Sequence, residues 1–332
     1  MKSFDYCVFI SRFQPFNNGH YELVKEALKR AETLLIVIGS YKKASDIENP
    51  WSAEQREQMI RSSLSVDELN RIKFLYVRDS FYVNNKWLSE VQQLVYQATD
   101  GCDDNKICLI GKENLFPQWK LFINKEMNSH YKSSNIRGLY FTHDLSYKIY
   151  VPTSVVTYLE DFKNTETFKV LKNTYDYVRD YKTSWSGAPF PVTFNTVDCI
   201  VIKSGHVLTV RRKGNPGKGQ IALPGGFLNT TETILAGALR ELKEETGIKV
   251  DKDILESCVI EQRAFDYPKR SVRGRTITHA FLIDLGSGPL PPVKGQDDAD
   301  KAWWMSLSEF ASREEEFFED HFHIISYFIS KF

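Results

Sequence analysis

The chain has 332 residues, of which 42% are apolar and 26% are charged. That length favours two domains over one, and the composition is that of an ordinary globular protein. Lysine plus arginine and aspartate plus glutamate number 43 each, so the net charge of zero argues against a protein that works by coating nucleic acid or an anionic membrane.

Targeting and redox signals are weak. No apolar run is long enough to span a membrane, and the N-terminal stretch lacks a signal-peptide cleavage site. The five cysteines are odd in number and scattered, which fits neither a disulfide framework nor a zinc site. We therefore expect a cytoplasmic protein with reduced thiols and with no nucleic-acid or membrane partner, and we leave a homo-oligomer open.

Strands and helices alternate through the first half of the chain. Buried-strand patterns at 5–10, 34–40, 72–77 and 106–111 are separated by helical patterns at 19–33, 52–64 and 86–99. This alternation predicts an α/β domain with a doubly wound, Rossmann-like parallel sheet. Ligands of such sheets bind beyond the carboxyl ends of the strands, so the site is expected in the loops after Ile10, Gly39, Val77 and Ile110.

The loop after the first strand reads SRFQPFNNGH, from Ser11 to His20. Gly19 allows backbone to approach a phosphate where the strand turns into a helix, and a helix N-terminus favours an anion. Residues 9–24 resemble the opening of archaeal-type NMN adenylyltransferases of the nucleotidylyltransferase superfamily. The resemblance implies that His20 donates to ATP phosphates during transfer. The nucleotide-binding positions that it assigns are Arg12, Gln14, Asn17 and Gly19, with Asn17 standing where the family has histidine.

Three later segments follow the order of the same family. In NNKW, Asn84 would bond the nicotinamide carboxamide and Trp87 would stack on the cationic ring, although a tryptophan there could also belong to the core. Gly111 is kept, but Lys112 follows it where the family has histidine. The segment KSSNIRGLYF resembles the phosphate-binding turn, with Ser134 replacing threonine and Arg137 retained.

For the first half, the resemblance implies transfer of an adenylyl group from ATP to NMN, giving NAD and pyrophosphate. Direct transfer depends on positioning and charge stabilisation, with no covalent intermediate. Asparagine keeps a neutral donor, so a histidine at Asn17 is expected to preserve or raise NAD synthesis. The alternative is a catalytically weak or inactive nucleotide-binding or sensor module.

The second half reads as an α+β domain. A helical connector is predicted at 163–190, between a first domain at 1–162 and a second at 191–332. Strand patterns at 192–202, 206–212, 276–285 and 301–307 surround one strong helix, and an amphipathic helix is predicted from Glu314 to the end of the chain.

The strong helix carries three acids on one face. Glu241, Glu244 and Glu245 are spaced i, i+3 and i+4. Thr230 or Thr231 is expected to cap the helix, and Gly247 to end it. Like charges so placed favour a hard divalent cation, Mg²⁺ or Mn²⁺. The alternative is a solvated acidic helix, which would not explain the flanking glycines.

The stretch GFLNTTETILAGALRELKEETGI matches every defining position of the Nudix box and resembles it throughout. The resemblance implies hydrolysis of a nucleoside diphosphate linked to another group. Arg240 would orient the carboxylates, and Glu232 would support the loop. The metal ligands that it implies are the carbonyl of Gly225 and the side chains of Glu241, Glu244 and Glu245.

Substrate choice is expected outside the box. The segments 265–281 and 297–304 resemble ADP-ribose pyrophosphatases associated with NAD-synthesis enzymes. ADP-ribose would give AMP and ribose 5-phosphate, although NADH and other dinucleotides share the pyrophosphate. Asp297 or Asp298 is a candidate for positioning the water or a base. The predicted phosphate-binding side chains are Arg270, Arg273 and Arg275.

Overall fold

The structure is a computed structural model that describes residues 3–82, 85–111, 114–123 and 131–330. The chain divides into two compact units, Met1–Ser80 with Asn84–Lys172 and Phe81–Val83 with Asn173–Phe332. The division falls inside the helix Glu166–Ser184, which occupies most of the predicted connector. Among the described residues, no helix combines the length and the apolar character needed to cross a membrane.

The first unit is built on a five-stranded parallel sheet with the order β3-β2-β1-β4-β5. The strands are β1 (Phe4–Ser11), β2 (Ala31–Ile38), β3 (Ile72–Tyr76), β4 (Ile107–Gly111) and β5 (Lys120–Ile123). The helices of this half are α1 (Asn18–Arg30), α2 (Ala53–Arg61), α3 (Val66–Leu69), α4 (Lys86–Ala98), α5 (Ser133–Phe141), α6 (Thr153–Phe162) and α7 (Glu166–Ser184). The predicted doubly wound parallel sheet is confirmed.

The strand order places a crevice between β1 and β4. The chain leaves these neighbouring strands in opposite directions along the sheet, and ligands of open sheets bind at such a point. The predicted first helix was too long by three residues. The amide of Ala31 closes α1 by bonding to Ala27, and Ala31 already pairs with Phe4 as the first residue of β2. The pattern also missed β5 and α5.

The second unit contains a mixed sheet with the order β10-β11-β6-β7-β12, in which β6 and β11 are parallel. The strands are β6 (Thr193–Lys203), β7 (His206–Arg212), β8 (Ile221–Ala222), β9 (Gly225–Phe227), β10 (Val259–Phe265), β11 (Arg275–Asp284) and β12 (Ala299–Ser306). The helices are α8 (Ile234–Thr246), α9 (Lys252–Ser257), α10 (Leu307–Ser312) and α11 (His321–Ile329). The predicted α+β class is confirmed.

Alternate residues of β6 supply two apolar clusters. Val197 and Val201 pack with Leu239 and other residues of α8, whereas Ile200 packs in a second cluster with Ile325 and other residues of α11. The sheet therefore holds the acidic helix on one face with a fully buried apolar stripe.

Two predicted helix starts were wrong. The terminal helix begins at His321 instead of Glu314, because Glu314–Glu316 forms only a short 3-10 turn and the chain is then held to β8, where the amide of Phe318 bonds to the carbonyl of Ile221 at 2.8 Å. The cap of α8 is Thr233, whose hydroxyl accepts from the amide of Ala236, and not Thr230 or Thr231. The predicted end of α8 at Gly247 agrees with its left-handed conformation, φ +55°.

Candidate active sites

The acidic face of α8 is organised around one arginine. Arg240 makes a bidentate ion pair with Glu232, with N–O distances of 2.7 and 3.0 Å. Its Nη1 atom lies 2.8 Å from one carboxylate oxygen of each of Glu241 and Glu244. The bond to Arg240, followed by the bond from the amide of Asn229, lowers the pKa of Glu232 to about 2. Arg240 thus holds two carboxylates and the preceding loop in one arrangement.

Two glycines let strand β9 lie directly against these carboxylates. The amide of Gly225 donates to Glu245 at 3.0 Å. A Cβ on Gly226 would lie 2.6 Å from the carboxyl carbon of Glu241, and one on Gly225 would lie 2.1 Å from the carbonyl oxygen of Val197. A side chain at either position would therefore displace the carboxylate or the strand.

The acidic groups here are poorly solvated. Burial, reinforced by the charges of Glu241 and Asp198, raises the pKa of Glu245 to about 8, although the Gly225 amide opposes the shift. Burial also raises the pKa of Glu241, and it raises that of Asp198 to about 7. Crowded carboxylates of this kind are stabilised in their charged form by a divalent cation. The donor set therefore fits Mg²⁺ or Mn²⁺.

The coordination shell is not preformed. Among residues in the described ranges, no three acidic, histidine or cysteine side chains are already arranged around a common metal position. Arg240 holds an oxygen of Glu241 and an oxygen of Glu244 in the present arrangement. A cation that uses these carboxylates must compete with that guanidinium, so metal binding and the orientation of Arg240 are linked.

The acidic loop before β12 is tied to the same end of α8. The amide of Lys294 bonds to the carbonyl of Thr246 at 2.9 Å, and that of Gln296 bonds to the carbonyl of Glu245 at 3.0 Å. Asp298 is exposed on this loop, and the charge of Asp297 contributes to the raised pKa of Glu241. Both candidate aspartates are therefore carried to the acidic helix, and their roles stay predictions.

The three predicted phosphate-binding arginines have different environments. Arg270 is buried in a bidentate ion pair with Asp320, at 2.8 and 2.9 Å, so its side chain is bonded within the protein and its phosphate-binding role stays a prediction. Arg275 bonds to the carbonyl of Asp266 and is partly exposed. The guanidinium of Arg273 lies 3.9 Å from a carboxylate oxygen of Glu319 and 5.1 Å from the ring centroid of Phe227 in β9. Arg273 is therefore directed toward the strand that contacts the acidic helix, and its phosphate-binding role stays a prediction.

Sequence reasoning missed Arg212, at the end of β7. Burial, reinforced by the charge of Arg273, lowers its pKa, while the charges of Glu319, Glu245 and Asp298 oppose that shift. Its guanidinium lies 4.2 Å from the ring centroid of Phe318. A cation near the acidic helix is suited to a phosphate, but the sequence pattern of β7 offers only strand periodicity.

The crevice of the first unit contains a cavity of about 350 Å³ between the ends of β1 and β4. Its lining includes Ser11, His20, Gly111 and Ser133. The backbone amide of Asn17 donates to Nδ1 of His20 at 3.2 Å, so the proton of this imidazole is on Nε2. Nε2 lies 3.3 Å from the hydroxyl of Ser11. The predicted His20 is therefore presented at the cavity as a donor.

Asn17 is a helix cap whose side chain is fully engaged in the scaffold. It is 1% exposed, and its Oδ1 accepts from the amide of His20 at 2.9 Å. Its Nδ2 donates to the carbonyl of Tyr131 at 2.9 Å and to the hydroxyl of Ser133 at 3.2 Å. Asn17 thus joins the start of α1 to the start of α5, and its partners His20, Tyr131 and Ser133 line the cavity.

Two residues predicted to contact nucleotides are bonded to backbone loops, and their nucleotide contacts stay predictions. Both ends of the Gln14 amide bond to the backbone of Trp51, at 2.8 and 3.3 Å, and Gln14 is 1% exposed. Arg137 is buried and donates to the carbonyls of Gln14 and Ile47, at 2.6 and 3.1 Å. Both side chains are thus committed to the protein backbone. Arg12 has a side chain that is 46% exposed, as a phosphate contact requires.

The other predicted positions vary in their surroundings. A Cβ on Gly19 would lie 3.0 Å from the Cβ of Tyr131, so the close neighbour here is a side chain of the protein. Ser134 is exposed in the first turn of α5. Trp87 is partly buried against the core of the first unit, near Phe116. Asn84 and Lys112 lie outside the described residues.

Two families match the chain. The family described as cytidylyltransferase-like matches residues 8–177, just over half of the 332 residues. The NUDIX domain family matches residues 193–328. The two matches do not overlap.

Individual relatives repeat this division. A bifunctional NMN adenylyltransferase/ADP-ribose pyrophosphatase from Francisella tularensis, solved with AMP and a manganese ion, is 36% identical with a TM-score of 0.93, and the match covers 99% of each chain. A nicotinamide/nicotinic acid mononucleotide adenylyltransferase from Acinetobacter baylyi is 30% identical over 53% of this chain and 95% of that protein. An ADP-ribose pyrophosphatase from Methanocaldococcus jannaschii is 40% identical over 34% of this chain and 61% of that protein.

Proposed function

Because the chain belongs to the family of bifunctional NMN adenylyltransferase/ADP-ribose pyrophosphatases, we propose that its first unit makes NAD and its second unit hydrolyses ADP-ribose. The observation that carries both activities is the match along 99% of the chain to the bifunctional protein of Francisella tularensis. The expected resemblance to both families is confirmed. The choice of ATP and NMN, the identity of the metal and the roles of individual residues are our proposals.

In the first unit, a phosphate oxygen of NMN attacks the α-phosphorus of ATP, and the bond to the departing pyrophosphate breaks. His20 donates through Nε2 to phosphate oxygens as charge develops on them. Ser11, 3.3 Å from that nitrogen, holds the ring at the cavity wall. Arg12 adds a positive charge that neutralises the triphosphate. Transfer is direct, so the residues act by position and charge.

In the second unit, water cleaves the pyrophosphate of ADP-ribose into AMP and ribose 5-phosphate. Glu241, Glu244 and Glu245 would hold the divalent cation, Mg²⁺ or Mn²⁺. When bound, such a cation polarises a pyrophosphate and lowers the pKa of a water. Arg240 holds the carboxylates of Glu241 and Glu244 at one nitrogen and so orients them, and Gly225 fixes Glu245 through its amide.

The departure at Asn17 does not favour a non-catalytic module. That alternative was based on the departures at Asn17 and at Lys112–Glu113, of which the second lies outside the described residues. In the structure the Asn17 amide is engaged with Tyr131, Ser133 and the amide of His20, and it is 1% exposed. Its task is to hold the donor His20 in place. The polar groups at the cavity therefore support turnover.

The test is a product chromatogram of the full chain with one variant in each site. With NMN, ATP and Mg²⁺ the wild type should form NAD and pyrophosphate, and with ADP-ribose it should release AMP. His20→Ala should lower NAD synthesis by about 10²- to 10³-fold and spare hydrolysis. Glu245→Gln should abolish hydrolysis and spare NAD synthesis. Glu256→Gln, an exposed acid on α9, is the control for Glu245→Gln and should change neither.

Either activity missing from the wild type refutes that half of the proposal. Hydrolysis retained in Glu245→Gln would instead refute the ligand assignment alone. The transferase serves as an internal check, because it reports whether the variant chain is folded.

A further inference from the structure

A second cavity lies in the unit that carries the acidic helix. It is about 350 Å³ in volume, and its wall is formed by the chain from Lys182 to Phe194, with Arg273 and Gly274 opposite. Most of that wall precedes residue 193, where the NUDIX match begins. The wall is aromatic: Trp185 and Phe194 meet edge to face with ring centroids 5.3 Å apart. Trp185 is 47% exposed although it is a large apolar side chain.

One residue of the Nudix box joins this cavity to the carboxylates. The ring of Phe227 lies 5.9 Å from that of Phe194, and the Arg273 guanidinium lies 5.1 Å from its centroid. The carbonyl of Phe227 accepts from Arg240 at 3.3 Å. The ring of Phe227 is itself 39% exposed. Phe227 therefore contacts the aromatic wall through its ring and the acidic helix through its carbonyl.

Positive charge lies beside that path. Arg273 and Arg212 both lie against the ring of Phe318, at 5.9 and 4.2 Å. The Arg273 guanidinium also lies beside Phe227, whose carbonyl accepts from the Arg240 that holds Glu241 and Glu244. The order of groups is an aromatic wall, two guanidinium groups and a carboxylate cluster. A nucleoside diphosphate has the same order, because a planar base is followed by phosphates that bind a metal.

We propose that this cavity binds the planar base of the hydrolase substrate, with Trp185 and Phe194 contacting the base and Arg273 contacting the phosphate next to it. The inference rests on the proposed hydrolase function, and it identifies where the enzyme would recognise the base of its substrate. The volume of about 350 Å³ lies within the range of about 300–1,000 Å³ for ligand pockets. The segment before the Nudix domain is then part of its specificity.

The first experiment uses the two products as separate probes. AMP carries the base and ribose 5-phosphate does not, so each is measured as an inhibitor of ADP-ribose hydrolysis by the full chain. Trp185→Ala removes the stacking of the base, so the Ki of AMP and the KM for ADP-ribose should each rise by roughly 5- to 100-fold. The kcat and the Ki of ribose 5-phosphate should stay within about twofold, because stacking contributes equally to ground and transition states.

Two further variants separate stacking from damage to the helix. Trp185→Phe keeps a ring and should recover most of the affinity for AMP. Val170→Ala removes an exposed apolar side chain from helix α7, which ends one residue before Trp185, outside the cavity, and should leave all constants unchanged. The proposal is overturned if Trp185→Ala leaves the Ki of AMP unchanged, or if it raises the Ki values of AMP and ribose 5-phosphate equally.

A second measurement does not depend on catalysis. The full chain is labelled with 5-fluorotryptophan, and the resonance of Trp185 is assigned by its absence in Trp185→Phe. AMP should shift this resonance, and ribose 5-phosphate should not. If the wild type fails to hydrolyse ADP-ribose, the proposed function fails, while this shift still decides whether the cavity binds a base. An unmoved resonance at saturating AMP overturns the inference.

Discussion

Replacing Asn17 by histidine is the sharpest test of the transferase site. The Asn17 side chain accepts one hydrogen bond and donates two, at 2.9, 2.9 and 3.2 Å, and it is 1% exposed. A neutral imidazole offers one acceptor and one donor, so at least one of the three bonds is lost. The lost bond leaves a buried partner unsatisfied, at a cost of about 1–3 kcal/mol. We therefore expect Asn17→His to destabilise the first unit, and the earlier expectation of preserved or raised activity is reversed.

Asn17→His should also lower the rate of NAD synthesis. Asn17 holds His20 through its Oδ1 and through its backbone amide. If the transition state loses the equivalent of one hydrogen bond, about 1.4 kcal/mol, the rate falls about tenfold. Both effects are measured on the full chain, by NAD formation from NMN and ATP and by calorimetry, where about 1 kcal/mol corresponds to about 2–4 °C for a unit of this size.

Asn18→His is the matched control. Asn18 is the next residue, and its side-chain amide donates to the carbonyl of Ile149 at 3.0 Å, in an exposed setting. Its replacement should leave NAD synthesis within about twofold, since an exposed hydrogen bond contributes little. ADP-ribose hydrolysis should be normal in both variants. If Asn17→His matches the wild type in melting temperature and in rate, the assignment of Asn17 as a scaffold residue is wrong.

Three further predictions follow from burial and close approach. Arg270→Ala should lower stability by about 3–5 kcal/mol, because it leaves a buried carboxylate unpaired. Arg273→Ala removes a longer ion pair, at 3.9 Å, so it should raise KM for ADP-ribose with a smaller fall in melting temperature; equal melting temperatures for both would refute the contrast. Gly226→Ala should abolish hydrolysis while the chain stays folded, because its Cβ would lie 2.6 Å from the Glu241 carboxyl carbon, and retained activity would contradict this geometry. Burial is the main reason that the pKa of His321 is lowered to about 3, so below pH 6.5 the unfolded chain binds a proton that the folded chain does not. The free energy of unfolding should therefore fall by about 2 kcal/mol between pH 6.5 and 5. In His321→Gln this part of the pH dependence should vanish.

The hydrolase site was readable from the sequence because its parts are local. Glu241, Glu244 and Glu245 lie on two turns of one helix, and Glu232 is eight residues from Arg240. Helical spacing alone therefore predicts their common face. The glycine pair at Gly225–Gly226 follows the same rule, since it contacts residues of the box itself.

The transferase loop was less readable because its partners are distant. Asn17 bonds to residues 114 and 116 positions later, and no local pattern announces such contacts. A motif position that looks like a ligand contact can therefore be a cap in the folded chain. The same limit applies to Arg270 and Arg273, which look equivalent in KRSVRGR. Only the fold reveals that one meets Asp320, which lies 50 residues away.

The terminal helix failed for a related reason. The segment EEEFFEDHF has helical amphipathicity, but Phe317 pairs with Ile221 and the neighbouring Phe318 is fixed to the same strand. Backbone pairing with β8 outweighs the helix propensity of these residues, which is on the order of a few tenths of a kcal/mol per residue. Tertiary contacts determine the conformation of such segments. Helix α8 forms as predicted because its apolar stripe and its acidic face both fit the same helix.

The loop of the first unit shows what its buried cations do. Phe13 adopts φ +52°, a left-handed conformation that a bulky residue disfavours. The carbonyls on either side of it are held by guanidinium groups: Arg56 donates to the carbonyl of Arg12 at 2.7 Å, and Arg137 donates to that of Gln14 at 2.6 Å. Burial lowers the pKa of both arginines to about 10, because removing a charged group from water costs free energy. Hydrogen bonds to the carbonyls of Arg12 and Gln14, which would otherwise lack partners in a turn of this shape, offset that free-energy cost. The strained turn is therefore held by cations bonded to its backbone, and the exposed Arg12 and the donor His20 are left to meet the substrate.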